Sequence, residues 1–235
     1  MQARSIEDHL TQRVCPDGEY KGTDSRSTTQ TLPIGPYLLR YPANFLQIDA
    51  YRIHKRGDME IVHGQQKPMS VARTWLQIHA LAPEMIPSFL ADSSARRREN
   101  RGDAYLTEIE LFWSEDGSSR PKDAETFGEF LPAEARLARA ADSIALVAFQ
   151  KASPSGSRVI RLVPKGSAAD ESQIFCYGYV NDRGRGRCSE IRRLRADVWT
   201  RISFSSENIA CWRRIEERAL RLVEDFTSEW EVRAR

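Results

Sequence analysis

The sequence predicts an α+β protein in which mostly antiparallel sheet packs against one amphipathic helix at the C-terminus. Short apolar or alternating stretches recur along the chain and are bounded by Gly, Pro and Ser, which is typical of strands joined by turns. Only the end of the chain carries a long run of apolar residues at three- and four-residue spacing. A length of 235 residues, 40% of them hydrophobic, is sufficient to bury a large core.

The chain divides into an arm and two halves. Residues 1–31 are polar, and we expect a loosely ordered N-terminal arm anchored at Cys15. Residues 32–150 form a first, β-rich half, and residues 158–230 form a second half with a hairpin, a strand and the last helix. Residues 151–157 contain Pro, Gly and three Ser, so they mark a wide turn between the halves. We expect the two halves to make one compact unit.

In the first half, strands are predicted at residues 37–41, 45–53 and 59–62. Residues 71–81 alternate only in part, so both strand and helix remain open there. Residues 105–113 alternate cleanly. They predict a half-buried strand at the sheet edge, with Glu108 and Glu110 on its exposed polar face.

Residues 132–141 predict a short helix, because Pro suits a first turn and Ala, Arg and Leu favour helix. Further strands are predicted at residues 144–150, 158–163, 174–180 and 198–204. The last helix is expected over residues 206–226, with Ser205 or Ser206 as its N-cap. Its apolar stripe should fix it on the sheet; the stripe consists of Ile209, Trp212, Ile215, Ala219, Leu222, Val223 and Phe226.

The four cysteines, an even number, favour disulfides and an exported protein. Cys176 and Cys188 flank a predicted turn, where a hairpin brings their Cα atoms within bridging distance. Cys15 and Cys211 then form the remaining pair. The alternative is four reduced thiols that pack as small hydrophobic side chains. An exported protein is therefore favoured. The alternative is a cytoplasmic protein, because residues 1–10 lack the apolar segment of a signal peptide.

Charge and motifs exclude several classes of function. The net charge of +2 and pI near 8.4 are lower than a nucleic-acid-binding domain usually shows. No apolar run approaches the ~18 residues of a membrane span. Only six of the 35 cations are Lys, and Arg-rich surfaces suit carboxylate or phosphate partners.

No common catalytic or nucleotide-binding motif occurs, so we assign no catalytic residue and expect no cofactor. The histidines all lie in the N-terminal third, far from three of the cysteines, and no metal site is predicted. One alternative is a hydrolase that uses scattered carboxylates. A less favoured one is an RNA-binding module at the Arg-Gly turn of residues 181–187.

The second half resembles a family of bacterial immunity proteins that neutralise phospholipase toxins delivered by type VI secretion. The resemblance rests on the Cys-containing hairpin, the strand ending at Phe204, and the helix sequences Ile-Ala-Cys-Trp-Arg-Arg-Ile at 209–215 and Leu-Val-Glu-Asp-Phe at 222–226. The Arg-Tyr-Pro at 40–42 fits the same family. The resemblance implies a periplasmic, disulfide-bonded protein without enzymatic activity that binds a cognate toxin and blocks or distorts its active site.

We expect the toxin to bind charged loops at one end of the sheet, because charged loops provide specificity and fast association. The candidates are Asp182, Arg183, Arg185 and Arg187 on the predicted hairpin tip, and Glu115 and Asp116 on an acidic loop.

Overall fold

The structure, a computed structural model, describes residues 5–12, 15, 18–22, 29–42, 52–55, 58–61, 75–82, 84–87, 106–115, 129–152, 158–167, 172–177, 186–227 and 231–232. The helices are α1 (Ile6–Thr11), α2 (Ala135–Asp142), a 3₁₀ helix (Ser206–Cys211) and α3 (Trp212–Thr227). The strands are β1 (Thr29–Ile34), β2 (Tyr37–Pro42), β3 (Arg52–Lys55), β4 (Asp58–Ile61), β5 (Trp75–Leu81), β6 (Ile86–Pro87), β7 (Leu106–Trp113), β8 (Leu131–Pro132), β9 (Leu146–Ala152), β10 (Arg158–Pro164), β11 (Ser172–Tyr177), β12 (Arg187–Arg195), β13 (Val198–Ser205) and β14 (Glu231–Val232).

Nine of these strands form one antiparallel sheet in the order β6-β5-β7-β13-β12-β11-β10-β9-β8. Strand β7 comes from the first half of the chain, and it pairs with β13 from the second half. The two halves therefore share a single sheet. Strands β1, β2 and β14 form a smaller sheet, and β3 and β4 pair with each other in a two-stranded sheet. Residues 71–81, for which the sequence left strand and helix open, contain β5.

One face of the large sheet, the helix face, carries the main hydrophobic core. It is built from apolar residues such as Ile109, Ile202 and Ile174, all with no exposed surface. The seven residues of the predicted apolar stripe are all buried in the same core. These observations confirm the predicted α+β class, an antiparallel sheet covered by an amphipathic C-terminal helix.

The C-terminal helix begins as a 3₁₀ helix and continues as α3. Ser205 is its N-cap, and the Ser205 hydroxyl accepts a hydrogen bond from the Glu207 amide at 3.4 Å. Capping of this kind gives a partner to one of the amide groups that the first turn leaves unpaired. One of the two N-caps that the sequence offered is therefore used.

The N-terminal stretch contains a helix that the sequence analysis missed. In α1, Ser5 and Asp8 form a capping box: Ser5 Oγ accepts from the Asp8 amide at 3.3 Å, and Asp8 Oδ2 accepts from the Ser5 amide at 3.0 Å. Ile6 and Leu10 are buried in the main core. Residues 5–12 are therefore ordered, in contrast to the loose arm expected for residues 1–31. The burial of two apolar residues, one turn apart, is sufficient to anchor so short a helix.

Both predicted disulfides are present. Cys176 and Cys188 face each other across β11 and β12 with their Cα atoms 4.1 Å apart, and Cys15 is joined to Cys211 at a Cα distance of 5.5 Å. The second bond spans a sequence separation of 196 residues. In the chain-entropy model a loop of that length stabilises the fold by about 5 kcal/mol, against about 3 kcal/mol for the short hairpin loop.

Strand β7 is central in the sheet, which corrects the expectation that Glu108 and Glu110 lie on the exposed face of an edge strand. Strands β5 and β13 pair with its two sides. Glu110 is only 5% exposed and forms an ion pair with Arg201, its register partner on β13. Alternation along one strand is a local pattern, so it did not reveal a cation supplied from 91 residues away.

The hairpin of β1 and β2 rests against one end of the large sheet. Its turn contains Gly35 with a φ of +53°, a left-handed conformation that glycine adopts at no steric cost. A Cβ at this position would overlap the indole ring of Trp113 at the end of β7. Gly35 is therefore required both for the turn and for its close approach to the sheet.

We predict that Gly35→Ala lowers the free energy of unfolding by about 2–4 kcal/mol, since left-handed strain and overpacking each cost roughly 1–3 kcal/mol. Gly166→Ala is the matched control. Gly166 also has a positive φ of +84°, but no atom lies within 4 Å of its added Cβ. The control should lose only about 1–2 kcal/mol in urea denaturation at equilibrium. Equal losses would contradict the role of the Trp113 contact.

Candidate functional site

The structure places two of the six predicted partner-binding residues, and they lie at opposite ends of the sheet. Arg187 is opposite Ser205, whereas Glu115 follows Trp113, which is opposite Val198 at the other end of β13. On β7, Glu108 lies near the Arg187 end and Trp113 lies at the Glu115 end. These two residues are separated by about 17 Å along the strand. Asp182, Arg183, Arg185 and Asp116 lie outside the described residues. The structure thus does not bring Arg187 and Glu115 together on one surface.

At the Arg187 end, a polar cluster lies on the sheet face opposite the helix face. Arg187 forms an ion pair with Glu108, which also accepts a hydrogen bond from Gln77 Nε2 at 3.3 Å. His79 is opposite Glu108 in register and is buried. Burial lowers the pKa of His79, although the Glu108 carboxylate opposes this shift, so His79 is neutral at pH 7.

The cluster lacks the contacts of an activated nucleophile. The hydroxyls of Ser189 and Ser203 hydrogen-bond to each other at 2.8 Å. Nε2 of His79 has no hydrogen-bond partner among the described residues, whereas a serine nucleophile needs a base within hydrogen-bond reach. The cluster is best explained as pairing of charges within the sheet. No group of three or more His, Cys, Asp or Glu in the described part of the chain could hold a metal ion.

The opposite end of the sheet carries an open groove of about 610 Å³. It lies beside the turn that joins β12 to β13, where the register shifts between Arg193 and Arg195. Such a bulge interrupts strict alternation and re-aims side chains. Among the described residues, those that line the groove are Ser167, Ser172, Arg192, Arg193, Leu194, Arg195 and Ala196. We define these residues as the arginine groove.

Arg193 is held in place by the turn itself. Its Nε donates to the Arg195 carbonyl at 3.3 Å, and its Nη2 donates to the Ala196 carbonyl at 2.5 Å. The guanidinium also lies 5.7 Å from the centre of the Trp199 ring. Arg193 is exposed, and no carboxylate of the described residues forms an ion pair with it. Its position is therefore fixed by two backbone carbonyl groups and one aromatic ring.

Asp197 fixes the same turn from its other side. Both of its carboxylate oxygens accept from the Tyr37 hydroxyl at 3.0 Å, and Oδ2 also accepts from Trp113 Nε1 at 3.0 Å. The Arg195 guanidinium lies 5.5 Å from the centre of the Tyr37 ring. Burial, followed by the bond to Asp197, raises the pKa of Tyr37. The Asp197 carboxylate is thus committed to Tyr37 and Trp113 and does not line the groove.

A buried acid lies next to the groove. Glu190 has no exposed surface, and Ser172 donates its hydroxyl hydrogen to Glu190 Oε1 at 2.8 Å. Burial raises the pKa of Glu190 well above its usual range, and the neighbouring Glu216 of α3 raises it further. The raised pKa favours the protonated, uncharged form of Glu190, and hydrogen bonding between the Glu190 and Glu216 carboxyl groups is one cause of the shift.

These contacts determine the charge of the groove. Arg192 forms an ion pair with Glu216 and is neutralised by it. Arg193 and Arg195 are the other two arginines of the lining, and the Arg195 side chain also hydrogen-bonds to Tyr37. Both side chains are exposed. The geometry is suited to binding an anionic group, because guanidinium forms directed, charge-assisted hydrogen bonds with carboxylate or phosphate oxygens.

The sequence analysis missed the arginine groove. A local signal was present in the Arg-Arg-Leu-Arg run of residues 192–195, which places three cations immediately before an Ala-Asp turn. The Arg-Gly turn at residues 181–187 gave a stronger signal, because its glycines are typical of a loop tip. The buried pair of Glu190 and Glu216 had no local signal, because it joins β12 to α3.

Comparison with known proteins found one similarity of fold and no match in sequence. No protein-family model matches the chain, and no curated protein matches its sequence. The chain is similar in structure to an immunity protein of the Stenotrophomonas maltophilia type IV secretion system, with a TM-score of 0.51 and 11% sequence identity. The match covers 85% of this chain and 93% of that one. In the described part of the chain, no helix is sufficiently long and apolar to span a membrane.

We predict that the difference in the free energy of unfolding between Glu190→Gln and the parent protein shifts in favour of the variant as the pH rises. Above the usual carboxyl pKa the unfolded chain releases the Glu190 proton and the folded protein keeps it. The free energy of unfolding of the parent should therefore fall by up to about 1.4 kcal/mol per pH unit until the folded-state pKa is reached. Gln carries no proton to release, so the advantage of Glu190→Gln grows from pH 4.5 to pH 8 in urea denaturation.

Glu217→Gln is the matched control, because Glu217 is exposed on the same helix. Its difference from the parent protein should stay constant over this pH range. A constant difference for Glu190→Gln as well would contradict a buried, protonated Glu190.

Proposed function

We propose that this protein is an immunity protein that binds and neutralises a cognate bacterial toxin. The observation that carries the proposal is the fold, which is shared over 85% of the chain with an immunity protein of a bacterial secretion system. The resemblance of the C-terminal segment to immunity proteins points the same way. The protein then acts as an inhibitor, by covering or distorting the active site of the toxin, and needs no catalytic residue of its own.

The proposal extends to the place of action and the class of toxin. Two disulfides between residues of the described chain suit an oxidising compartment, and we place the protein in the periplasm. The resemblance in sequence implies a phospholipase delivered by type VI secretion, whereas the structurally similar protein belongs to a type IV system. We keep the phospholipase as the proposed target and regard the route of its delivery as open to either system.

A hydrolase is the second candidate, because a buried acid with a raised pKa lies beside an open groove. The hydrogen bonding at this point argues against it. Ser172 donates its hydroxyl hydrogen to the Glu190 carboxyl group, whose pKa is raised. A raised pKa favours the protonated carboxyl, which is not a base that activates a serine nucleophile. The arrangement supports a binding surface better than a reaction.

We predict that the gene beside this one encodes a toxin whose periplasmic expression stops bacterial growth. Co-expression of the present protein with an export signal should restore growth, because the inhibitor and the toxin then meet in one compartment. The purified proteins should form a stable complex in size-exclusion chromatography. The same protein expressed without an export signal is the control, and it should not protect.

Protection by the non-exported form alone would overturn the periplasmic assignment. A neighbouring gene whose product is harmless in the periplasm and forms no complex would contradict the proposed function. Lipid hydrolysis by the purified protein itself, abolished by Ser172→Ala, would favour the hydrolase instead.

A further inference from the structure

We propose that the disulfide between Cys15 and Cys211 is a redox latch, which a dithiol reductant opens in the folded protein while the hairpin disulfide stays closed. The hairpin disulfide is the bond between Cys176 and Cys188. Opening the latch releases residues 18–22, which we define as the strap, from the C-terminal helix. The inference concerns how the folded chain responds to a reductant, so it does not depend on the proposed function.

The two disulfides differ in how far a reductant can reach them. Cys176 and Cys188 have no exposed surface and lie in the main core, on the paired inner strands β11 and β12. Cys15 is partly exposed, Cys211 is 6% exposed, and both line one small pocket. Thiol–disulfide exchange requires a thiolate to reach one sulfur of the bond. The latch is therefore the bond that a reductant attacks in the folded protein.

The exchange balances in two steps. One thiolate of the dithiol attacks Cys15 Sγ, the bond between the two cysteine sulfurs breaks, and Cys211 Sγ leaves as a thiolate that takes up a proton. The second thiolate of the dithiol then attacks the reductant sulfur of the mixed disulfide and releases Cys15, which is protonated in turn. Two electrons pass to the protein, and the dithiol becomes a cyclic disulfide. The latch is thus closed in an oxidising compartment and open in a reducing one.

The strap contacts the C-terminal helix through hydrogen bonds near the surface. The Gly18 carbonyl accepts from Arg218 Nη2 at 2.6 Å and from Arg214 Nη2 at 3.5 Å. The Tyr20 hydroxyl donates to Asp225 in an exposed contact. Bonds of this kind compete with water and contribute little each. The latch lies just before Gly18 in sequence, so it keeps these groups at a high effective concentration, and that advantage ends when the bond is reduced.

Two backbone amides of the strap report whether it is held in place. The amides of Lys21 and Gly22 donate to the Glu84 carbonyl at 2.9 Å and 3.3 Å. While the latch is closed, the chain is fixed on both sides of Gly18, and these two bonds are difficult to break. Once the latch opens, the strap can separate from Glu84, and both amides exchange with solvent.

The fold around the latch has other support. Ile6 and Leu10 anchor α1 in the main core, and the apolar stripe of the C-terminal helix is buried in the same core. After reduction, the Cys211 thiol packs at its buried position as a small hydrophobic side chain. Reduction lowers the stability of the whole protein, yet the core and the hairpin disulfide keep it folded. The opening is therefore local to the strap.

The first experiment identifies the bond that opens. The full-length oxidised protein is treated with dithiothreitol without denaturant, free thiols are alkylated with iodoacetamide, and mass spectrometry of peptides locates the label. We expect the latch cysteines to be labelled about tenfold faster, or more, than the hairpin cysteines, because only the latch is accessible. In concentrated urea, the control, both pairs should be labelled at similar rates. Labelling of both pairs at one rate in the folded protein, or of the hairpin pair first, would overturn the inference.

Hydrogen–deuterium exchange then tests release of the strap. We compare the oxidised parent protein, the parent protein in dithiothreitol, and Cys15→Ser/Cys211→Ser. We expect the amides of Lys21 and Gly22 to exchange about tenfold faster, or more, in both forms with an open latch, whereas residues 174–176 of β11 keep their rates.

Tyr20→Phe is the matched control, because it removes the hydrogen bond to Asp225 and leaves the latch closed. We expect it to raise strap exchange less than about threefold. If the double serine variant does not fold, the reduced parent protein decides the result. Unchanged strap exchange after reduction would overturn the inference. So would loss of the circular dichroism of the whole protein on reduction, since the bond would then hold the fold and not the strap alone.

Discussion

The pairing of β13 with β7 is the contact on which the rest of the structure depends. It joins two segments about 90 residues apart in sequence and places Ile202 opposite Ile109 at the centre of the helix face. The C-terminal helix follows β13 directly, so the same pairing decides where that helix lies. Once the helix is in place, its apolar stripe buries the core, and Cys211 lies where Cys15 can be bonded to it.

The same framework produces the arginine groove. The turn between β12 and β13 is held on one side by Asp197, through Tyr37 and Trp113, and on the other by Arg193. Its charge depends on the helix as well, because Glu216 of α3 forms an ion pair with Arg192 and raises the pKa of Glu190. The turn that lines the groove is thereby supported by the hydrophobic core. Rigid support of this kind lowers the entropy lost on binding, which favours a tight inhibitor.

Local patterns allowed much of the fold to be predicted from sequence. The apolar stripe of residues 209–226 repeats at helical spacing, and Cys176 and Cys188 flank one hairpin, so neither prediction needed knowledge of distant residues. The clean alternation of residues 105–113 also identified β7. Its place in the sheet could not be predicted, because a central strand is distinguished from an edge strand by partners such as Arg201, far away in sequence.

The candidate site was harder to predict for the same reason. The pKa of Glu190 depends on burial and on Glu216. The exposure of Arg193 depends on a β-bulge that the sequence pattern of β12 does not predict. The α1 helix was missed because six residues carry too little periodicity, although its capping box was visible at Ser5 and Asp8. The partner-binding role of the hairpin-tip residues Asp182, Arg183 and Arg185 remains a prediction.

Hydrogen–deuterium exchange of the protein with and without its toxin is the most direct test of the account. The central claim is that the protein binds a cognate toxin. The account predicts that complex formation slows exchange in one contiguous region of the surface of this protein. Unchanged exchange along the whole chain, at toxin concentrations well above that of the protein, would contradict it.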